Sequence, residues 1–316
     1  MTEPPVVVVA DPIDRSALER LRAGPCRVVD ASADPKTLAS QLPEAWAIVV
    51  RSRTKVTADL LRAAPKLNLI ARAGVGVDNV DLTAAGERGV RVVNAPGAAT
   101  ASVAELSVAM YLLLLRGLFP SIVATKAGRW ERSSHVHELS GKTVGFVGYG
   151  RIAREVARRL EPFGAATLAY DPFVTRSTDR TELVPWDALL ARSDIISVHA
   201  ALTAENRHLL DARAFGQIKP GAFLVNVARG ALVDEVALLA SLKSGRLAGA
   251  ALDVFEVEPP MNRELLEMPN VIATPHIGAM TAEGQGRAGA EIVDEVLRAL
   301  RGEPLTSLVA PAGGVR

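Results

Sequence analysis

The chain contains few of the residues that mark disulfide-rich, metal-bound or nucleic-acid-binding proteins. Among its 316 residues Cys26 is the single cysteine, which excludes an intramolecular disulfide and a cysteine-based zinc site. Aromatic residues make up 4% of the sequence, and the formal net charge is +1. Because nucleic-acid-binding and membrane-surface proteins concentrate positive charge, we expect neither kind of partner. Five scattered histidines predict no metal site.

The sequence also lacks the usual signals of export and of membrane insertion. Residues 1–5 have no basic segment of the kind that opens a signal peptide. The apolar stretch at residues 106–124 carries Arg116 near its middle, and a central arginine costs at least about 2.5 kcal/mol in lipid. The S-x-x-E spacing of Ser102 and Glu105 places the start of this helix near Ser102. We therefore predict a buried or interface helix in a cytoplasmic protein.

Aliphatic strand-like runs alternate with amphipathic helical segments along most of the chain. Predicted strands lie at residues 6–9, 47–50, 69–71, 90–93, 143–147, 167–170, 195–198, 223–226 and 250–252. Predicted helices lie at residues 16–22, 152–160 and 282–300. Alternation of this kind predicts parallel sheets joined by crossover helices, and a chain of this length predicts two domains.

A glycine loop lies between a predicted strand and a predicted helix at residues 148–153, which fit the pattern G-x-G-x-x-A. Gly148 allows a tight turn, and Gly150 lets a pyrophosphate approach the backbone. The third position is Ala153, small enough for the helix to pack against the strand. The pattern and its context predict a dinucleotide-binding site.

Two further features of this region bear on the cofactor. The helix that begins at Arg151 and Ile152 offers backbone amides and a positive dipole end to phosphates. Asp171 ends the next predicted strand, where a carboxylate accepts hydrogen bonds from the ribose hydroxyls and repels a 2′-phosphate. We therefore predict NAD as the cofactor, in preference to NADP.

Three chemically matched side chains lie within one stretch of the carboxyl-terminal half. Arg229 offers a planar fork for a carboxylate, and His276 gives or takes a proton near neutral pH. Glu258 is suited to hold the imidazole in place. Together with the glycine loop, these residues predict redox chemistry on a small acid.

With these residues and their neighbours, the chain resembles the D-isomer-specific 2-hydroxyacid dehydrogenases, and among them the phosphoglycerate dehydrogenases. The resemblance covers about residues 49–288 and includes the segments around Glu258 and His276. Its other segments are residues 50–57, 72–81, 128–132, 141–145 and 228–235.

The resemblance implies an α/β architecture of two Rossmann-like or flavodoxin-like parallel-sheet domains, with the cofactor domain inserted into the substrate domain. The first segment of the substrate domain is expected at residues 1–98, and the NAD-binding domain at 99–281. A return helix and tail at 282–316 complete the substrate domain. Because the sequence stops at Arg316, the regulatory domain of longer family members is not expected. A homodimer built around the helix near Ser102 is implied as well.

The resemblance also implies roles for individual residues. His276 would exchange a proton with the substrate oxygen, Glu258 would hold His276, and Arg229 would clamp the substrate carboxylate. His199 is expected at the cofactor edge or in a structural role. Cofactor contacts are implied for Gly148, Gly150, Arg151, Ile152, Asp171, Val75, Ala200, Val227, Ala228, Asp253, Gly278 and Ala279. Substrate contacts are implied for Arg51, Arg72, Gly74, Val75, Gly76 and Arg132, with Arg51 and Arg72 on a phosphate and Arg132 reaching a neighbouring subunit.

Departures from the family pattern leave the substrate open. Ala99 replaces a common asparagine, Met280 replaces a common serine, and Ala201 replaces a common proline. These changes remove small polar groups, and Met280 adds apolar surface. The hypotheses are therefore a 3-phosphoglycerate dehydrogenase in serine biosynthesis, a hydroxypyruvate or glyoxylate reductase, and an NAD(H)-sensing binding protein. The remaining histidines, His135, His137 and His208, are predicted at the surface.

Overall fold

A computed structural model of the chain describes residues 3–132 and 136–309. The described chain divides into two compact units, of which unit 1 runs up to Ala99 and resumes at Ala279, and unit 2 spans Thr100–Gly278. The domain boundaries predicted from the sequence lie after residue 98 and after residue 281. His135, predicted at the surface, and the tail beyond residue 309 lie outside the described residues.

The first segment of unit 1 builds a five-stranded parallel sheet in the order β2-β1-β3-β4-β5. This is the flavodoxin-like order, which reverses direction between β1 and β3. Its elements are β1 (Val6–Val9), α1 (Arg15–Arg22), β2 (Arg27–Asp30), α2 (Pro35–Gln41), β3 (Ala45–Val50), α3 (Ala58–Ala63), β4 (Leu69–Arg72), α4 (Leu82–Glu87) and β5 (Arg91–Asn94).

Unit 2 contains a seven-stranded parallel sheet in the order β12-β11-β10-β9-β6-β7-β8. The order reverses between β9 and β6, and ligands bind at the carboxyl ends of the strands beside such a reversal. Its elements are α5 (Thr100–Leu115), α6 (Leu118–Lys126), β6 (Thr143–Val147), α7 (Arg151–Leu160), β7 (Ala166–Tyr170), β8 (Glu182–Leu183), α8 (Trp186–Arg192), β9 (Ile195–Val198), α9 (Ala212–Gln217), β10 (Ala222–Asn226), α10 (Glu235–Lys243), β11 (Leu247–Leu252), α11 (Arg263–Glu267) and β12 (Val271–Ala273). The two parallel-sheet α/β units confirm the predicted fold class.

The last helix, α12 (Ala282–Leu300), returns to unit 1 and has the predicted bounds. Its apolar side, with Ile292 and Val296, packs into one core with Val7 and Leu21 from the start of the chain. A Cβ on Gly289 would lie 2.8 Å from the Cβ of Ala17, so the close packing of α12 on α1 needs a residue without a side chain at this position.

The long apolar stretch is not one helix. It forms α5 and α6, which bend by 68° at a break that contains Gly117 in the left-handed region, with φ of 53°. Helix α5 begins at Thr100, so the predicted start at Ser102 is wrong; Glu105 instead pairs with Arg159 at 3.2 Å. Among the described residues no single helix has the length and apolarity to cross a membrane, although this bent pair passes on length and composition together.

Candidate active site

The glycine loop has the local geometry of a phosphate cradle. Gly148 follows β6 with φ of 87°, and a Cβ there would lie 2.7 Å from the backbone nitrogen of Ala200. At Gly150 a Cβ would meet no heavy atom within 4 Å, so the space above the start of α7 is open. Ala153 is fully buried beneath the helix. A tight turn, an open second glycine and a packed third position fit a dinucleotide pyrophosphate.

Asp171 follows β7 on the same edge of the sheet. Its two carboxylate oxygens accept hydrogen bonds from the backbone N–H groups of Tyr149, at 2.8 Å, and Phe173, at 2.9 Å. Each carboxylate oxygen has a second lone pair, which remains for a ribose hydroxyl. The carboxylate is therefore fixed in place before any cofactor arrives.

The three predicted catalytic residues follow three adjacent strands. Arg229 comes after β10, Glu258 after β11 and His276 after β12. Since β10, β11 and β12 are neighbours in a parallel sheet, their carboxyl ends meet at one edge. The glycine loop, after β6, lies on this same edge.

His276 and Glu258 form a hydrogen-bonded pair. The Nδ1 atom of His276 lies 2.8 Å from Oε2 of Glu258, and both side chains are partly exposed, at 49% and 40%. An ionised carboxylate only accepts, so Nδ1 is the donor and Nε2 is the ring atom left for a ligand. The other Glu258 oxygen accepts from the backbone N–H of Phe255 at 3.2 Å, which fixes the carboxylate.

The loop that carries His276 is held by Asp253. The buried Asp253 carboxylate accepts from the Thr274 hydroxyl at 2.6 Å and from the Ile277 and Gly278 backbone N–H groups at 2.8 Å each. His276 itself has φ of 53°, a left-handed conformation that is strained for a side-chain-bearing residue. These hydrogen bonds stabilise that conformation, so the predicted cofactor-side residue Asp253 also builds the loop.

Arg229 lies in a turn that is packed tightly on the segment after β11. The Asn226 side chain donates to the Arg229 carbonyl at 2.9 Å and accepts from the Ala228 N–H at 3.1 Å. A Cβ on Gly230 would lie 1.8 Å from the carbonyl carbon of Phe255. Only glycine allows this approach, which fixes the Arg229 turn against the residues that lead to Glu258.

The remaining predicted cofactor and substrate residues divide between the units. Those in unit 2 are Ala200, Val227, Ala228 and Gly278, together with Arg132, which lies in an exposed loop. Those in unit 1 are Arg51, Arg72, Gly74, Val75, Gly76 and Ala279.

Within unit 1, Arg51 follows β3, one of the two strands at the reversal of strand order. Its guanidinium contacts the Pro12 carbonyl at 3.4 Å, Gln285 Oε1 at 3.2 Å and Met280 Sδ at 3.7 Å. Its backbone N–H donates to buried Asp11 at 2.6 Å. The three acceptors that contact the guanidinium are uncharged, so they orient it without forming an ion pair.

Arg72 is the last residue of β4 and lies against Gly74, the first of residues 74–76 that are predicted to contact the substrate. A Cβ on Gly74 would lie 1.7 Å from Nη1 of Arg72, and Gly74 has φ of 157°. The guanidinium therefore covers the face of Gly74 that a side chain would occupy. A positive charge next to glycine amides is an arrangement that suits an anion.

A buried chain of hydrogen bonds ends at His199. The Tyr111 hydroxyl donates to the Ser197 hydroxyl at 2.6 Å, and Ser197 lies 2.8 Å from Nε2 of His199. Burial lowers the pKa of His199 to about 3, so the ring is neutral at physiological pH. This agrees with a structural role rather than proton transfer.

Sequence reasoning missed several of these supporting residues. Asn226, Gly230 and Tyr149 lie within the motifs that the sequence analysis uses, but nothing in their spacing marks their contacts. His137 is exposed, whereas His208 is half-buried and lies 2.7 Å from Glu256. Among the described residues, no three His, Cys, Asp or Glu side chains are grouped to hold a metal ion.

Comparison with known proteins places this site in a family. Residues 108–278 match the model of the D-isomer specific 2-hydroxyacid dehydrogenase NAD binding domain. The chain is 46% identical to D-3-phosphoglycerate dehydrogenase of Mycobacterium leprae, over 98% of this chain and 60% of that protein. It is 43% identical to hydroxypyruvate reductase of Thermotoga maritima, over 93% of this chain and 98% of that protein.

Among solved structures, the NAD-dependent formate dehydrogenase of Staphylococcus aureus in complex with NAD superposes with a TM-score of 0.83 at 32% identity, over 98% of this chain and 99% of that one. The chain therefore belongs to the D-isomer-specific 2-hydroxyacid dehydrogenases, a family of NAD-dependent oxidoreductases, and its cofactor is NAD. It spans about 60% of the length of the phosphoglycerate dehydrogenase relatives.

Proposed function

We propose that this chain interconverts a D-2-hydroxy acid and its 2-keto acid. The observation that carries the proposal is the His276–Glu258 pair, 2.8 Å apart, on the same sheet edge as the glycine loop. NAD, when bound, supplies the hydride acceptor or donor. A proton donor and acceptor fixed on the edge that binds the cofactor is what such a reaction requires of the protein.

The residues of the chain have separate tasks in this reaction. In reduction, His276 donates a proton from Nε2 to the substrate oxygen as the carbonyl becomes a hydroxyl, and in oxidation the same atom accepts it. Glu258 accepts a hydrogen bond from the Nδ1–H of His276 and so stabilises the charged imidazolium. Arg229 binds the substrate carboxylate and polarises the adjacent carbonyl.

For the substrate we propose 3-phosphoglycerate and 3-phosphohydroxypyruvate, in serine biosynthesis. The Arg51 guanidinium, whose acceptors Pro12, Gln285 and Met280 are uncharged, supports a second anionic group on the substrate. Arg72 beside Gly74 supports binding of an anion at the 74–76 amides. The phosphoglycerate dehydrogenase relative in Mycobacterium leprae supports the same assignment. Arg132 remains a candidate for contact with a partner subunit's substrate.

A second candidate is reduction of hydroxypyruvate or glyoxylate. Met280 supports it, because its thioether lies 3.7 Å from Nη2 of Arg51 and is only a weak acceptor. A phosphate that binds both terminal nitrogens of Arg51 must displace this apolar side chain, whereas an unphosphorylated acid need not. The hydroxypyruvate reductase relative supports this candidate too.

We also propose that the chain is a cytoplasmic homodimer. Helix α6 exposes apolar residues, among them Phe119 at 50% and Ile122 at 52%. Beside them lies a largely apolar cavity of about 560 Å³ between the helices and the β11–β12 edge of the sheet, with Leu113, Leu114 and Ile272 in its wall. Exposed apolar surface of this kind supports association with a second copy.

The experiment that tests the proposed function is NADH oxidation with four keto acids in parallel. These are 3-phosphohydroxypyruvate, hydroxypyruvate, glyoxylate and pyruvate. Preference for the phosphorylated acid, lost in Arg51→Ala, supports phosphoglycerate dehydrogenase. Preference for an unphosphorylated acid supports the second candidate. Tight NADH binding without turnover of any acid contradicts the enzyme proposal and favours an NAD(H)-sensing binding protein.

A further inference from the structure

Tyr149, between the two glycines of the cofactor loop, is bound to two carboxylates. Its backbone N–H donates to Asp171 at 2.8 Å, and its hydroxyl donates to the carboxylate of Asp179. The side chain is fully buried. One residue therefore ties the glycine loop to both ends of residues 171–179, the segment that begins with the ribose-binding aspartate.

The Asp179 carboxylate is held by further partners. It accepts from the Thr181 backbone N–H at 2.8 Å and from the Ser177 hydroxyl at 3.1 Å. Burial opposes its ionisation, but the hydrogen bonds from Tyr149 and Thr181 hold the pKa of Asp179 below its usual value. Two carboxylates, those of Asp171 and Asp179, thus lie around one tyrosine.

A cation lies over the ring of the same tyrosine. The Arg154 guanidinium, on the first turns of α7, is 5.3 Å from the centre of the Tyr149 ring. Arg176 and Arg180 are exposed on the segment after Asp171. Charges of both signs therefore lie around Tyr149, with Asp171 and Asp179 bound to it and Arg154 over its ring.

We propose that Tyr149 is a positioning residue that sets the preference of this chain for NAD over NADP. Its backbone N–H holds the Asp171 carboxylate where it accepts from the ribose hydroxyls, and its hydroxyl ties the Asp179 charge to the glycine loop, where that charge disfavours a 2′-phosphate. Without the hydroxyl bond, Asp179 keeps only its hydrogen bonds from Ser177 and Thr181 and is no longer tied to the loop, while Arg154 remains to attract a phosphate. The inference concerns the NAD site and is independent of which acid is the substrate.

The test is a fluorescence titration of the purified full chain with NADH and with NADPH, which needs no turnover. Tyr149→Phe is expected to weaken NADH binding by about three- to tenfold, since the backbone bond to Asp171 stays but the segment that begins with Asp171 loses its side-chain bond to the glycine loop. NADPH binding is expected to stay equal or tighten, so the ratio of the two dissociation constants shifts toward NADPH. Asp179→Asn, which removes the charge at nearly constant size, is expected to shift the ratio in the same direction.

The matched control is Tyr170→Phe, the same chemical change on the residue before Asp171. The Tyr170 ring packs edge-on against Trp186, and its hydroxyl has no hydrogen bond within the described chain, so its removal should leave the ratio unchanged. An unchanged ratio in Tyr149→Phe, or equal weakening of both cofactors, would show a merely structural role and overturn the proposal. Asp179→Asn is the second variant: it tests, in a chain that keeps Tyr149, whether the contact of Tyr149 with Asp179 sets the ratio of the two dissociation constants.

Discussion

The Nδ1 atom of His276 lies 2.8 Å from Oε2 of Glu258, although the two residues follow different strands. A separate contact fixes each residue. The Phe255 N–H donates to the Glu258 carboxylate, and Asp253 holds the loop that carries His276. The pair is therefore organised by backbone geometry, and substitutions that leave the backbone alone test its chemistry directly.

We expect His276→Ala to lower kcat by about 10²–10⁴-fold, the usual contribution of a positioned general acid or base. Glu258→Gln should have a smaller effect, because the amide oxygen still accepts from Nδ1 but carries no charge. Steady-state kinetics of NADH oxidation measures both. His137→Ala, in an exposed histidine of the same unit, is the control and should retain full activity. Equal activity of His276→Ala and His137→Ala would contradict the assigned role.

Gly230→Ala should destabilise unit 2 by at least about 2 kcal/mol, because the new methyl group meets the Phe255 backbone and neither chain segment has room to move. Urea unfolding followed by circular dichroism measures the free energy of unfolding. Gly216→Ala is the matched control: a Cβ there meets nothing within 4 Å, on an exposed helical position, so stability should be unchanged or slightly higher. Similar unfolding midpoints for the two variants would refute the packing argument.

Met280→Ser should raise kcat/KM for 3-phosphohydroxypyruvate relative to hydroxypyruvate, by about threefold or more, because Nη2 of Arg51 is freed and a hydroxyl replaces the thioether. The measurement is the ratio of the two specificity constants. Met280→Leu keeps the volume without the sulfur and should leave the ratio close to that of the wild type. A ratio that does not move in Met280→Ser would remove Met280 from the specificity argument.

Stability should fall in mild acid because of His199. Burial lowers its pKa to about 3, while an unfolded histidine titrates near pH 6.5. Between these values the unfolded chain binds a proton that the folded chain does not, so the free energy of unfolding decreases as the pH falls, by about 1 kcal/mol per pH unit from this one group. His199→Gln should flatten the slope between pH 6 and about pH 4.5 relative to the wild type. The same substitution at an exposed histidine, His137→Gln, is the control variant.

Ile122→Glu should convert a dimer to monomers, because a charge is placed in the exposed apolar surface of α6. Sedimentation velocity measures the change. Val236→Glu is the control, since Val236 is 75% exposed on α10, away from that surface, and its substitution should leave the mass unaltered. A monomeric wild-type protein would overturn the homodimer proposal itself.

The sequence predicts the central strands best. Residues 6–9, 143–147 and 195–198 are aliphatic runs buried on both faces, and they form β1, β6 and β9 with the predicted bounds. β2 was not predicted, because it is an edge strand whose two end residues are exposed. The break in the apolar stretch was missed too, although Gly117, in the left-handed region, is the residue type that commonly ends a helix.

Some residues of the candidate site can likewise be predicted from the local sequence, and others cannot. Gly148 and Asp171 could be found because strand, loop and helix follow one another in the chain. The contact of Gly230 with Phe255, and the bond from Tyr149 to Asp179, join segments that are distant in sequence, and only the fold brings them together. A single sequence has no spacing rule for such contacts.

Helix α12 completes the core of unit 1 after all of unit 2 has been made. During synthesis from the amino terminus, β1 to β5 leave the ribosome without Ile292 and Val296, so α1 alone begins to cover one face of their sheet, with Ala17 and Leu21. Unit 2 is continuous from Thr100 to Gly278 and can close its own core first. The amino-terminal sheet is thus the last to be finished, and the nascent chain carries an incompletely buried apolar surface until α12 emerges.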